Sequence, residues 1–166
     1  MSAWWILIFL IIERLFELVL SRRNRRKMLD RGGREYFPEN YRHIVVLHLA
    51  FFAALILESW PWRLPLDSLT LFGLAGLGLT MILRYWCVLT LKEHWNTRII
   101  VVPGAAPIRK GPYRFMRHPN YMAVTLEFAV IPLLLRAPLT LVVFTILNLG
   151  ILRRRIALEE EALDEN

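Results

Sequence analysis

The sequence predicts an all-α membrane protein with about five transmembrane helices, the last two forming a helical hairpin. Three observations carry this reading. The chain of 166 residues is 56% hydrophobic with a mean hydropathy of +0.41, too apolar for an ordinary soluble domain and too short for two domains of usual size. Apolar segments recur along it, at residues 4–20, 44–60, 69–91, 121–135 and 139–152. The lysines and arginines between them collect in alternate connections, as they do in multispan proteins.

Each segment has its own justification. Residues 4–20 have no basic stretch before them and no small-residue cleavage site after them. The arginine-rich run 21–27 follows instead, so the segment reads as a retained helix and not a signal peptide. Residues 44–60 and 69–91 approach or exceed the roughly 20 residues that a perpendicular span requires. The last two segments are shorter, and Arg136-Ala137-Pro138 stands between them. A charge beside a proline suits a tight turn better than a helix interior, which makes these segments a hairpin that need not cross the bilayer fully.

Residues 95–107 are an apolar, strand-like run broken by Pro103, Gly104 and Pro107. Such a run cannot span and is expected to fold as a connector along the membrane face. Pro119 pushes His118 out of the helical region, and Asn120 is placed to cap the helix that follows. The chain therefore reads as one unit over residues 1–166, with a three-helix membrane part at 1–91 and a polar, aromatic part at 92–166 where chemistry is expected.

The formal net charge of +7 raises the possibility of nucleic-acid binding, and the positions of the charges decide against it. Of 21 Lys and Arg, eight lie within residues 21–43, six within 92–120 and three at 153–155. In a five-span bundle those regions share one side, and only Arg63 and Arg136 fall on the other. The positive-inside rule then puts the amino terminus outside and the carboxyl terminus in the cytoplasm, with the basic residues facing anionic membrane lipids.

Cys87 is the only cysteine, which excludes disulfides within the chain and thiolate clusters. His43, His48, His94 and His118 lie too far apart for a metal box, so no metal is expected. Within the apolar segments Glu13, Arg14, Glu17, His48, Arg84 and Glu127 are costly and should face inward. Glu13 and Glu17 are four apart and share a helix face, with Arg84 as a plausible partner. Glu127, six residues after Tyr121, is placed to line a polar cavity.

Two motifs in order, Gly-Pro-Tyr-Arg-Phe-Met-Arg-His-Pro-Asn-Tyr at 111–121 and Arg-Arg-Arg-Ile-Ala-Leu-Glu-Glu-Glu-Ala-Leu at 153–163, resemble the isoprenylcysteine carboxyl methyltransferase family. The likeness is dense over residues 95–163. Arg14-Leu15-Phe16-Glu17-Leu18 and Ser21-Arg22-Arg23-Asn24 are similar to the short bacterial members. The resemblance implies a multispan enzyme using S-adenosylmethionine and releasing S-adenosylhomocysteine, with a cofactor pocket at the cytoplasmic face. Carried over residue by residue, it gives Tyr113, His118, Pro119, Asn120, Tyr121 and Glu159 as cofactor contacts. It gives Arg155 as the residue that holds the acceptor. Aromatic faces attract a sulfonium, and a carboxylate accepts from ribose hydroxyls or an ammonium, so the residue types suit the donor.

Ala105, Ala106, Pro107 and Ile108 occupy the remaining cofactor-contact stretch, where relatives carry a histidine and a leucine-valine pair. Backbone contacts survive that departure, and a histidine contact does not. Arg155 and Glu159, four apart, also fit an ordinary ion pair on a helix. The expected activity is O-methylation of a carboxylate or hydroxyl on a lipophilic acceptor. Methylation of long-chain polyketide phenols or pyrones, methylation of a phospholipid amine, and a non-catalytic lipid-binding scaffold are the alternatives.

Overall fold

The computed structural model describes residues 2–165, which are mostly helical. Five long helices occur in the order α1 (Trp4–Asp30), α2 (Pro38–Glu58), α3 (Ser68–Leu91), α4 (Pro119–Leu134) and α5 (Pro138–Asp164). A two-stranded antiparallel sheet joins β1 (Arg34–Tyr36) to β2 (Ile99–Val101), with Arg34 opposite Val101 and Tyr36 opposite Ile99. The sheet departs from the all-α expectation. The strand-like run of the connector finds its partner in the loop after α1. Gly33 permits the approach, because a Cβ there would lie 2.6 Å from the Met28 carbonyl oxygen and 3.2 Å from Val102.

Two helices, Pro38–Glu58 and the stretch Ser68–His94, are long and apolar enough to cross a membrane. The others fall short for visible reasons. In α1, Glu13, Arg14 and Glu17 interrupt the apolar run; α4 has 16 residues; α5 is charged over its last turns. Polarity is inverted along α1, where Phe16 is 59% exposed and Ile12 60%, whereas Glu13 and Glu17 are each 3% exposed. Apolar side chains face outward and charges inward, the order a lipid solvent favours.

The helices meet through small residues and borrowed caps. Gly73 and Gly76 of α3 let α4 approach closely, since a Cβ on them would sit 3.0 Å from Leu134 and 3.2 Å from Val130. Helix α4 ends at Leu134, a three-residue turn follows, and α5 starts at Pro138, where the missing N–H costs nothing. The free N–H groups at the start of α5 are met by Glu58 of α2, which accepts from Leu139 N at 2.8 Å and Thr140 N at 2.7 Å. Asp67 caps α3 by accepting from Thr70 N at 2.9 Å, and also holds Arg136 of the α4–α5 turn at 2.6 Å.

At the centre of α1, α3 and α4 lies a closed ionic network. Arg14 donates to Glu17 at 2.8 Å and to Glu127 at 2.6 Å. Arg84 donates through Nε and Nη2 to the two oxygens of Glu17 and through Nη1 to Glu127 at 3.2 Å. Glu13 stands beside both arginines, 3.3 Å from Arg14 Nε and 3.7 Å from Arg84 Nε. The partnership of Glu17 with Arg84 follows the expectation from helical spacing. Glu127, expected to line a polar cavity, is buried in this network against both arginines.

The densest backbone contacts of α1 are with the 3-10 turn Lys92–His94 and with β2, not with another helix. Its attachment to the bundle combines the ionic side chains with Leu7 and Leu10, which are buried in the apolar core. Removing one member of a buried pair leaves its partner charged and uncompensated, typically at a cost of about 3–5 kcal/mol. Arg84→Met is expected to destabilise the folded protein by about that much, measured by unfolding in mixed detergent micelles. A loss under about 1 kcal/mol would show that the network contributes little to holding the helices.

Candidate active site

The polar cluster gathers where α4 begins and α5 leaves the apolar region. Tyr121, in the first turn of α4, donates its hydroxyl hydrogen to Glu159 of α5. The same oxygen accepts from Arg155 Nε at 2.9 Å, and Arg155 Nη2 donates to the Thr97 carbonyl at 2.8 Å. Arg155 and Glu159 lie one helical turn apart on α5, so both reach one tyrosine. The expectation of an ion pair between them is replaced by this relay. Tyr121 stands between cation and anion, and no direct salt bridge joins the two among the described residues.

His118 stacks on Tyr121, with ring centroids 5.4 Å apart and planes 15° from parallel. Its Nε2 is 3.6 Å from Glu160 and has no hydrogen-bond partner although buried; Asn120 Oδ1 is in the same condition. Asn120 does not cap α4. The helix starts at Pro119 with His118 at the N-cap position, which puts Asn120 inside the first turn. Pro119 itself is buried. A buried polar atom without a partner is costly, so His118 and Asn120 mark the place where a polar ligand group would be met.

Tyr113 comes in from the 3-10 turn Gly111–Arg114, which rests on α3. Gly111 makes that seat possible: its φ is +53°, and a Cβ would lie 2.3 Å from Thr90 Oγ1 and 3.0 Å from Trp86 Nε1. Burial pushes the Tyr113 phenol above its ordinary range, and the neighbouring Cys87, Glu159 and Tyr121 add to the shift. Tyr113 therefore stays protonated near neutral pH and acts as a donor. Its approach to Glu159 and Tyr121 joins it to the cluster.

Ala105, Ala106, Pro107 and Ile108 stand apart. The first three are exposed and Ile108 is half-buried; Ala105 N bonds back to Val102 O, and no hydrogen bond among the described residues ties the four to Tyr121 or Glu159. Ser21 and Asn24 lie in the stretch similar to the short bacterial members, without a role assigned from sequence, and nothing in the sequence marks the Thr97 carbonyl. Asn24 is 3% exposed and donates to the carbonyls of Lys92 and Trp95, and Ser21 bonds Asn96 and Thr97. Two small polar residues three apart at the start of an arginine-rich stretch were the available signal. Two clefts of about 640 and 380 Å³ lie at the opposite end of the bundle, around Trp62 and Leu64 and around Thr140 and Phe144, away from this cluster. Among the described residues no group of three or more His, Cys, Asp or Glu is arranged to hold a metal ion.

Chemically, the cluster offers a fixed cation, a carboxylate, two stacked rings and unpartnered polar atoms on one face. Such a set suits a ligand with both a positive and a hydrogen-bonding part. The family described as isoprenylcysteine carboxyl methyltransferase (ICMT) matches residues 73–165, more than half of the chain. The chain is also 39% identical over 163 residues to the uncharacterized protein YpbQ of Bacillus subtilis (strain 168), covering 98% of this chain and 96% of that one. It is 29% identical over 151 residues to an uncharacterized protein of Haemophilus influenzae (strain ATCC 51907 / DSM 11121 / KW20 / Rd), covering 90% and 88%. No solved structure matches the chain.

Tyr121→Phe deletes the one atom that both Arg155 and Glu159 use. Leaving charged groups short of a partner in a secluded site costs about 1–3 kcal/mol. The variant is expected to lose that much stability in micelle unfolding, whereas a wild-type melt would mean the relay does not hold α4 to α5.

Proposed function

The chain belongs to the isoprenylcysteine carboxyl methyltransferase family, and from that premise we propose that it methylates an oxygen of a lipophilic acceptor with S-adenosylmethionine as donor. Membership makes it a membrane methyltransferase in general terms; the donor, the acceptor and the roles of individual residues are our reading. The observation that carries it is the convergence of Tyr121, Arg155, Glu159 and His118 from two helices onto one face.

The residues fit the donor. Bound there, S-adenosylmethionine supplies a methyl group on a sulfonium, transferred with the carbon–sulfur electron pair returning to sulfur. Tyr113 and Tyr121 offer ring faces to the cation, Glu159 accepts from hydroxyl or ammonium hydrogens, and His118 and Asn120 supply the unpartnered polar atoms. Pro119 fixes the entry of α4, and the backbone of Ala105, Ala106, Pro107 and Ile108 would close over the donor by movement of an exposed turn. Arg155 holds the acceptor. Its guanidinium is fixed by Tyr121 and Thr97, which leaves N–H donors for an anionic oxygen.

The acceptor oxygen attacks the methyl carbon in line, and alignment with exclusion of water supplies the rate. A carboxylate is already ionised near pH 7, whereas a phenol with pKa about 10 gains from a base. A fixed guanidinium favours the carboxylate. We place the cluster at the cytoplasmic boundary of the membrane, where a water-soluble donor and a membrane-dissolved acceptor can both arrive. The basic residues of 21–43, the connector and 153–155 lie at that end. Cysteine labelling in a Cys87-free background should find position 30 cytoplasmic and position 66 external, both exposed in the structure; the reverse would move the site to the other side.

Two substitutions separate the roles. Glu159→Ala should weaken S-adenosylmethionine binding by about 1–3 kcal/mol in calorimetry, because a ligand hydrogen-bonding group is left unpaired. Arg155→Lys should leave donor affinity near wild type yet lower kcat/KM for the acceptor roughly 10- to 100-fold, since lysine cannot reproduce a planar grip. Wild-type donor affinity in Glu159→Ala would remove that residue from the pocket. Wild-type turnover in Arg155→Lys would remove the acceptor grip.

A further inference from the structure

The residues that hold the connector against Arg155 come from α1, outside residues 73–165 that carry the family match. Ser21 is 4% exposed and lies near the end of the apolar part of α1. Its Oγ accepts from Thr97 N at 3.1 Å, shares a 2.7 Å bond with Thr97 Oγ1 and donates to Asn96 Oδ1 at 3.0 Å. Asn96 answers by donating Nδ2 to the Ser21 carbonyl at 3.1 Å, and its Oδ1 also accepts from Arg98 N at 2.9 Å. One turn further along α1, Asn24 donates to the carbonyls of Lys92 and Trp95 at 2.9 and 2.8 Å.

The Ser21 bonds of this clasp converge on Asn96 and Thr97, and the Arg98 N–H that Asn96 accepts belongs to the same peptide as the Thr97 carbonyl. The Thr97 N–H, its hydroxyl and the preceding side chain are all tied to Ser21, and the Thr97 carbonyl is the atom that accepts from Arg155 Nη2 at 2.8 Å. Among the described residues Arg155 is otherwise hydrogen-bonded only at Nε, by the Tyr121 hydroxyl at 2.9 Å. One bond stops translation of a planar guanidinium and leaves it free to rotate about the contact. Two bonds from different nitrogens fix its plane. Of its five N–H donors, those two bonds use one on Nε and one on Nη2, so the remaining three, two on Nη1 and one on Nη2, point in directions set by Thr97.

We infer that Ser21 is a positioning residue for the acceptor: acting through Thr97, it fixes the plane in which Arg155 presents its free donors, and so makes α1 part of the acceptor site. The inference rests on the acceptor role proposed for Arg155. It assigns to the amino-terminal helix a function in specificity that the matched region alone does not contain. An acceptor with two coplanar oxygens gains most from a fixed plane; one with a single oxygen gains less, because one oxygen can follow a rotating donor. The clasp therefore selects for carboxylates over phenols.

The test uses full-length protein in micelles with 15N-labelled arginine. The Arg155 Nη2–H resonance, identified by its loss in Arg155→Lys, should be slow to exchange in wild type, fast or broadened in Ser21→Ala, and restored in Ser21→Thr, which keeps a hydroxyl. Should Ser21→Ala fail to fold, Asn96→Ala opens the same clasp from the connector side and should give the same loss. With a free-carboxylate S-farnesylcysteine derivative as probe, Ser21→Ala should raise acceptor KM about tenfold, change kcat little and leave donor affinity unaltered. In the Arg155→Lys background the same substitution should add nothing, as two residues acting in series are not additive. An unchanged Arg155 resonance in Ser21→Ala overturns the inference whatever the probe does. Additive losses in the double variant overturn it too. If instead Arg155→Lys itself turns over the probe like wild type, it is the acceptor role of Arg155 that fails, and the resonance still reports whether Ser21 fixes the guanidinium.

Discussion

Two arginines hold this bundle together. Arg14 and Arg84 sit among three buried carboxylates from α1 and α4, Arg84 itself buried and Arg14 half-buried. A charge in such a place is tolerable only when its partners are fixed, so the network dictates which faces of α1, α3 and α4 meet and how far along their axes. Helix α1 has few other close backbone contacts with helices, and its outward face is apolar. The network, together with Leu7 and Leu10 in the apolar core, seats α1, and α1 then presents Ser21 and Asn24 to the connector. The same network pins Glu127, and six residues before it on the same helix Tyr121 meets Arg155 and Glu159.

From that frame the site follows as a matter of position. Helices α4 and α5 are joined by a short turn at one end and by the Tyr121 relay at the other. The glycine at 111 lets a 3-10 turn rest on α3 and bring Tyr113 to the same face. A donor that lives in water and an acceptor that lives in lipid need a boundary, and this end of the bundle has both apolar walls and a ring of basic residues. The reaction we propose asks little covalent chemistry of the protein and much geometry, which suits a site built from cross-helix hydrogen bonds.

Much of the fold was legible because its determinants are local. Apolar run lengths, the proline beside Arg136, the i and i+4 spacing of Glu13 and Glu17, and their need for Arg84 are all readable in one dimension. The roles of Arg14 and Glu127 were not, since a residue 113 positions away is a partner only once α1 and α4 are placed. Asn120 looked like a cap because asparagine usually is one, but proline at the first helical position passed the cap to His118. The pairing of Arg155 with Glu159 is favoured by spacing alone, and Tyr121 displaces it by reaching both from another helix. The Thr97 carbonyl left no trace in the sequence, for a backbone acceptor is common to every residue. The β1–β2 pairing was half legible: the connector reads as a strand, and nothing local named its partner.

The claim on which the account turns is that this polar face moves a methyl group from water into lipid. The direct measurement is transfer of label from methyl-labelled S-adenosylmethionine, added to inverted membranes containing the protein, into the organic-extractable fraction. Extractable label should appear with the wild-type chain and be lost with Glu159→Ala present at equal abundance. Label in the organic phase that is the same for wild type, Glu159→Ala and membranes without the protein would contradict it.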